Sequence, residues 1–380
     1  MTGRVSGRHN RRMDQPQPDQ LPTALPAPFA WLVDAATALP GPDRLLAELG
    51  ARLIAADLPL AGGALTLAVP HPIIARRTWL WRAADNSVME ALGFAGAPMT
   101  DAGSGWLAKL GPVQETTIGG RTGDGANTDR PILGWAGTRP FSDSERATLR
   151  EVARFAAAPV AALAARGALS SLLEAYLGRR SAARVQAGAL RRGTGETIRA
   201  ALLYADLRDF TAMSETTEPA TVIAALDAWF DRLAGAVHVF GGEVLKFIGD
   251  GALAIFPVTE TPAEACDAAL RAVTAAAAGM AHLNTIRAAQ GQPALTFGAA
   301  LHLGEILWGN IGAVDRLDFT AIGPAVNLVS RLEGLCRPLG RQVLISGAVA
   351  AEASSALVPL GAHDLRGITQ PCAVFTLPEL

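Results

Sequence analysis

Cysteine is scarce in this chain: Cys266, Cys336 and Cys372 are odd in number and far apart. Their spacing excludes a disulfide framework and gives no metal-binding pattern, so reduced cytosolic thiols are expected. A charge excess of either sign is also missing, since 33 Lys and Arg face 35 Asp and Glu for a net −2. No global field therefore draws the chain to nucleic acid or to an anionic membrane. Long apolar runs are lacking too. The alanine-rich stretches "VARFAAAPVAALAARGALSSLLEAYL" and "ALRAVTAAAAGMAHL" are interrupted by arginine, glycine or proline, and neither reads as a membrane span. The N-terminal stretch is basic, then rich in Pro and Gln, and has no apolar core of signal-peptide length. Residues 1–41 are accordingly expected to be a disordered tail, and the protein cytoplasmic. No internal repeat is found. What the sequence does have is a hydrophobic half and a length of 380 residues, enough for two soluble domains.

Residues 42–168 read as one α/β domain. In "PDRLLAELGARLIAADLP" the residues Leu45, Leu46, Leu49, Leu53 and Ile54 share a helical face. "GGALTLAVP", "RTWLWRA" and "ILGWAG" read as strands, and the glycine-rich stretch before the last of these as loops around one short helix. Ser142 with Glu145 three residues later predicts a capping box, and Pro159 a break in the long helix that follows. Residues 169–196 form a helical connector, rich in arginine and glycine.

Residues 197–380 carry the clearest pattern. A strand, "TIRAALLYA", ends at Asp206. The helix after it has Pro219 in its first turn and Gly241 past its end, with Ile223, Leu226, Phe230, Leu233, Val237 and Phe240 on one stripe. Two strands then meet at Gly249-Asp250-Gly251, and a second helix follows. "LTFGAALHLGEILWGNIG" alternates like a hairpin, "AVNLVSRLEGLC" is a helix, "RQVLISG" a strand, and the end another hairpin. That order is α+β and ferredoxin-like, with helices on one face of the sheet.

"EVLKFIGDGALAIFP" places Lys246 and Asp250 inside an apolar run. In a ferredoxin-like sheet the strand ending at Asp206 lies beside that hairpin, so the two carboxylates meet at one sheet edge. Hard oxygen ligands there suit magnesium, with substrate phosphates completing its shell. Taken alone, Asp250 is just as well a turn former and Asp206 a helix cap.

The conjunction with neighbouring segments goes further. "LLYADLRDFT", "GGEVLKFIGDG" and "HLGEILWGNIGAVDRLDFTAIGPAVNLVSRL" follow in order, and together they resemble the catalytic domain of class III nucleotidyl cyclases, the adenylate and guanylate cyclases. The resemblance implies that Asp206 and Asp250, with the Leu207 backbone beside them, hold metal, Mg2+ or Mn2+, as two ions per site. It places Phe210 and Thr211 at the triphosphate and Lys246 and Thr320 at the purine. Asn327 and Arg331, four apart on one helix, would orient the ribose and stabilise the transition state. Arg366 or Arg316 would add charge at the phosphates. Lysine offers only donors, and an adenine ring nitrogen accepts, which favours ATP. Because Thr320 stands where other members have aspartate, some use of GTP stays open. Asp209 replaces the family's glycine and adds a carboxylate beside a metal ligand. Pro324 replaces a common acidic residue.

In that family the site lies between two catalytic domains, so the resemblance implies a head-to-tail homodimer with two equivalent sites. The expected activity is conversion of ATP to cyclic AMP and pyrophosphate. A guanylate cyclase, or a catalytically silent nucleotide-binding regulator, are the alternatives; "GGE" at Gly241–Glu243 lacks the rest of a diguanylate cyclase loop. Residues 42–168 weakly resemble a GAF-type sensor. With no cysteine there, a thioether-linked chromophore is excluded, and both an unknown small-molecule effector and a purely dimer-stabilising role are open. His71 is expected to be structural, and Trp79, Trp81, Trp106 and Trp135 to form an aromatic core.

Overall fold

The computed structural model describes residues 25–69, 74–94, 102–119, 130–189, 191–313 and 315–378. The chain divides into two compact units, Met1–Leu169 and Ser170–Leu380. His71 lies outside the described residues, as does most of the expected N-terminal tail. The rest of that tail is not irregular. Helix α1 (Ala27–Asp34) forms there, followed by a 3-10 turn, because Leu32 and Ala36 are fully buried in the front core.

The front unit continues with α2 (Pro42–Ala55), β1 (Leu60–Ala68), β2 (Ile74–Arg82), β3 (Ser87–Phe94), α3 (Ala102–Leu107), β4 (Val113–Thr117) and β5 (Ile132–Gly137). It closes with α4 (Asp143–Phe155) and the start of α5 (Ala157–Leu177). The strands form one antiparallel sheet in the order β3-β2-β1-β5-β4. Leu45, Leu46, Leu49 and Leu53 of α2 are buried in its core, while Ile54 faces out. Trp81 and Trp135 meet edge to face at 6.2 Å, an aromatic core as expected. The Ser142–Glu145 capping box is present in both directions. The helix breaks at Ala156, three residues before Pro159, whose missing N–H cannot continue the ladder. Beyond it α5 runs unbroken through Arg166 and Gly167. Among the described residues it is the one helix long and apolar enough, by length and composition, to cross a membrane, where the sequence reading expected no such stretch.

The rear unit holds α6 (Arg179–Gln186), β6 (Gly195–Leu207), α7 (Phe210–Thr216), α8 (Pro219–Val239), β7 (Glu243–Ile248), β8 (Gly251–Pro257) and α9 (Pro262–Ala289). After these come β9 (Phe297–Gly312), β10 (Leu317–Ile322), α10 (Pro324–Glu333), β11 (Val343–Ser346), α11 (Gly347–Ala350), β12 (Val358–His363) and β13 (Cys372–Thr376). The sheet order is β12-β13-β11-β9-β6-β8-β7, with β10 paired to β9. Its β9-β6-β8-β7 part, with α8 and α9 as crossovers, is the ferredoxin-like order.

Helices cover both faces of this sheet, not one. Ala201, Leu203, Ala205 and Leu207 of β6 pack with α8 and α9, whereas Ala200 and Leu202 pack with Val329 and Leu332 of α10. Strand β6 is therefore apolar on both sides, as a doubly covered strand must be. The segment expected as a hairpin is instead the single long strand β9, paired with β6 from Gly195↔Gly309 to Leu207↔Phe297. Its hairpin partner is β10, which the sequence reading did not separate. On α8 the buried stripe is Val222, Ala225, Trp229, Leu233 and Val237. Ile223, expected on that stripe, is 59% exposed.

Candidate active site

Asp206 is the last residue but one of β6, and its register partner on β8 is Gly251. The turn Gly249-Asp250 therefore sets the second carboxylate beside the first. Gly249 takes φ +64°, open to glycine at no steric cost. A Cβ on Gly251 would lie 2.9 Å from Asp206 Oδ1 and 3.1 Å from the Tyr204 hydroxyl, so glycine also leaves room for the carboxylate. From α8, the fully buried Trp229 donates its indole N–H to the Asp250 carbonyl at 3.0 Å. Phe230 packs on Phe247 with ring centroids 4.2 Å apart. Both contacts fix the hairpin tip against the helix.

The electrostatics of this corner are unusual. Burial pushes the Asp206 carboxyl up, to about 7, and the neighbouring Asp250 carboxylate, close enough to share a proton with it, adds to the rise. Burial likewise raises Glu333, from the end of α10, with Arg208 opposing the rise. Burial and these three carboxylates push Tyr204 up to about 12. Asp206 Oδ1 is buried without a hydrogen-bond partner. A corner with this much concentrated negative charge calls for a cation.

The other candidate residues sit on several further elements of the same unit. Lys246 on β7 donates to the Asp318 carboxylate on β10. Thr320, two residues further along β10, is only 5% exposed. Asn327 and Arg331 share the exposed face of α10, opposite the buried Ala325, Val329 and Leu332. Phe210 and Thr211 open α7, and Arg366 is exposed in the loop between β12 and β13. Among the described residues no hydrogen bond or ion pair joins this group to the carboxylate corner.

Residues 195–376 match the profile of the adenylate and guanylate cyclase catalytic domain. This segment is a class III nucleotidyl cyclase domain. Adenylate cyclase 1 of Rhizobium meliloti (strain 1021) is 32% identical to the chain over 167 residues, which are 43% of this chain and 25% of that protein. The adenylate cyclase of Anabaena cylindrica is 34% identical over 161 residues, 41% of this chain and 31% of that one. A solved bacterial light-regulated adenylyl cyclase aligns at 26% identity with a TM-score of 0.48, covering 55% of this chain and 60% of that structure. The chain thus spans less than a third of either curated relative.

Domains of this family act on nucleotides, generally use divalent metal ions and typically work as dimers. The cyclase corner seen here suits such an ion. Among the described residues no cluster of three or more His, Cys, Asp or Glu forms a closed cage. Two adjacent carboxylates, one with a buried oxygen left without a partner, suit magnesium, which takes few protein carboxylates rather than an all-protein cage.

A pH dependence follows. A carboxyl raised above its unfolded value binds more protons in the folded state, so its contribution makes the metal-free protein less stable as pH rises from about 4 to about 7. A divalent cation competes with the same proton. Its affinity should climb with pH, by up to about tenfold per unit below 7, and level off above. Calorimetric titration with Mn2+ at pH 5.5, 6.5 and 7.5 reads this, and a flat profile contradicts it.

Asp209, the departure from the family pattern, has a structural account. It adopts φ +58°, the left-handed conformation that glycine otherwise supplies and Asp tolerates. Its carboxylate pairs with Arg337 at 3.2 Å, so part of the added charge is offset. The sequence reading missed four residues at these sites: Trp229, Tyr204, Glu333 and Asp318. Tyr204, Glu333 and Asp318 stood in quoted stretches, but the spacing of Asp318 gave no hint that it touches Lys246.

Proposed function

We propose that the rear unit converts ATP to 3′,5′-cyclic AMP and pyrophosphate, at two equivalent sites shared between twin subunits. The carrying observation is the side-by-side placement of Asp206 and Asp250 with an oxygen left unpartnered. Asp206 and Asp250, with the Leu207 backbone, would hold Mg2+ or Mn2+, which supplies charge neutralisation at the phosphates when bound. Phe210 and Thr211 lie at the start of α7, where backbone N–H groups suit a triphosphate. Lys246 donates to an adenine ring nitrogen and Thr320 meets the exocyclic group. The Asn327 amide holds the ribose so that its 3′ oxygen faces the α-phosphorus, which removes entropy from the activation step. Arg331, with Arg366 as a further cation, stabilises charge growing on the phosphoryl oxygens and the leaving pyrophosphate.

The dimer is supported by where the groups point. Asn327 and Arg331 face away from their own sheet, and Phe247, Ile248, Leu317 and Ile322 leave apolar surface exposed around Lys246 and Asp318. On α5, Leu169, Leu172 and Tyr176 are exposed at spacings of three and four, which suits pairing with a twin helix. The front domain, 42–168, we read as a GAF-like regulatory module acting through the connector 169–196. ATP supply places the reaction in the cytoplasm. Incubating the full chain with Mg2+ or Mn2+ and ATP or GTP, then separating the products, should yield cyclic AMP and pyrophosphate. Inactivity with both nucleotides and both metals would favour a silent regulator; cyclic GMP as the main product would replace ATP by GTP.

A further inference from the structure

Thr320 leaves the choice of base open. A hydroxyl both donates and accepts, so it can meet the amine of adenine or the oxo group of guanine equally. Lys246 alone is no more decisive, since its flexible ammonium can swing between a purine ring nitrogen and an oxo group. The residue that removes both freedoms is the one Lys246 touches. We propose that Asp318 is a specificity-determining residue of the base pocket, pinning the Lys246 ammonium and offering its second oxygen to the exocyclic amine of adenine. This rests on the reading of the rear unit as a cyclase.

The geometry carries the inference. Strand β10 alternates: Phe319 turns into the core and meets Trp308 edge to face at 5.4 Å, so Asp318 and Thr320 share the opposite side of the strand. Lys246 reaches them from β7, and its Nζ donates to Asp318 Oδ2. The lysine side chain is 29% exposed and the aspartate 54%, so the carboxylate stands at the open end of the group, where a ligand arrives. Among the described residues Asp318 Oδ1 has no hydrogen-bond or ion-pair partner. A carboxylate only accepts. An adenine amine placed there donates to it, whereas a guanine oxo group would set lone pair against negative charge. A site built to accept a hydrogen bond discriminates strongly against a group that cannot give one. An ordinary surface ion pair, by contrast, contributes little to stability and has no bearing on the base.

The test uses the full chain with Asp318→Asn, which keeps the shape, removes the charge and adds donors that a 6-oxo purine can use. The ratio of kcat/KM for ATP to that for GTP should fall by about 10–100-fold. Most of the change should lie in the KM for ATP, with kcat within a few-fold, because base contacts bind ground and transition states alike. Inosine triphosphate, which has the oxo group, should gain against ATP, and Asp318→Glu should restore part of the preference. If Asp318→Asn folds poorly, Asp318→Ser reads the same ratio. Equilibrium binding of 3′-deoxy-ATP and 3′-deoxy-GTP, which lack the attacking hydroxyl, gives the selectivity even for an inactive chain. Wild type making neither cyclic nucleotide would overturn the cyclase reading. An unchanged ATP to GTP ratio in the variants, by turnover or by binding, would overturn the role of Asp318 alone.

Discussion

Chains carrying Asp250→Ala and chains carrying Asn327→Ala should each be inactive alone and recover activity when co-expressed. On the proposed shared-site arrangement, each substitution removes one group from every site of its own homodimer: a proposed metal ligand in the first case, the proposed ribose-orienting amide in the second. Losing a preorganised contact to the developing charge, or the metal that makes it, should lower kcat by about a hundredfold to a thousandfold. In a mixed dimer the two lesions fall into one site. The other site takes Asp250 from the Asn327→Ala chain and Asn327 from the Asp250→Ala chain, and is intact. Random pairing makes half the dimers mixed, each with one of two sites whole, so about a quarter of the wild-type rate should return. The control is a chain bearing both substitutions, mixed with wild type; both sites of that hybrid are broken, so it only dilutes activity. Two affinity tags show that hybrids have formed. Tagged hybrids without activity would mean that the groups serve one site within one chain, and the shared arrangement would be abandoned.

The carboxylate pair was legible because its signal is local. A strand ending in Asp206 and a hairpin turning at Gly249-Asp250 need only the strand order to be brought together, and the ferredoxin-like order follows from the succession of elements. The Lys246–Asp318 contact was not legible. It joins β7 to β10, residues 72 apart, and no periodicity relates them. The misreading of β9 has a definite cause. Its alternation was read as a hairpin, whereas its glycines mark close approach within one strand. A Cβ on Gly304 would meet Ala325 at 2.6 Å, and one on Gly309 would meet the Thr194 carbonyl at 2.2 Å. The stripe on α8 was rotated by about one residue because apolar side chains flank it on both sides. Trp229 lies at its centre, where its indole N–H finds the Asp250 carbonyl. In the front unit, β3 escaped notice because its side chains are mostly exposed and do not alternate, and β4 because it spans five residues.

Glu243→Ala should be strongly destabilising although it lies outside the site, because it strips the start of α6 of its partner. Glu243 opens β7 and is 4% exposed, and a buried carboxylate without partners would be very costly. Here it has three. Oε2 accepts from the Arg180 amide at 3.2 Å, while Oε1 accepts from the Ser181 amide at 3.2 Å and the Ser181 hydroxyl at 3.1 Å. These are the N–H groups of the second and third residues of α6, whose N-cap Gly178 offers no side chain, so Glu243 caps the helix from another element. Gly178 itself takes φ +80°, and a Cβ there would lie 2.6 Å from Glu243 Oε1, so the contact leaves no space for any other residue. Alanine at 243 would leave Ser181, which is fully buried, with unpaired polar groups and a void beside them. The expected loss is about 3 kcal/mol of rear-unit stability, from charge-assisted bonds of about 1.5–3 kcal/mol that are not additive. Glu243→Gln should cost less, about 1–2 kcal/mol, since its oxygen can still serve Ser181 while its NH2 opposes the Arg180 amide. Hydrogen exchange reads the effect directly: the Arg180 and Ser181 amides should lose protection in both variants, and more in alanine. Lys246 is three residues along the same strand, so nucleotide turnover should fall as well. Unchanged exchange at α6 would show that this helix start is held by something other than Glu243.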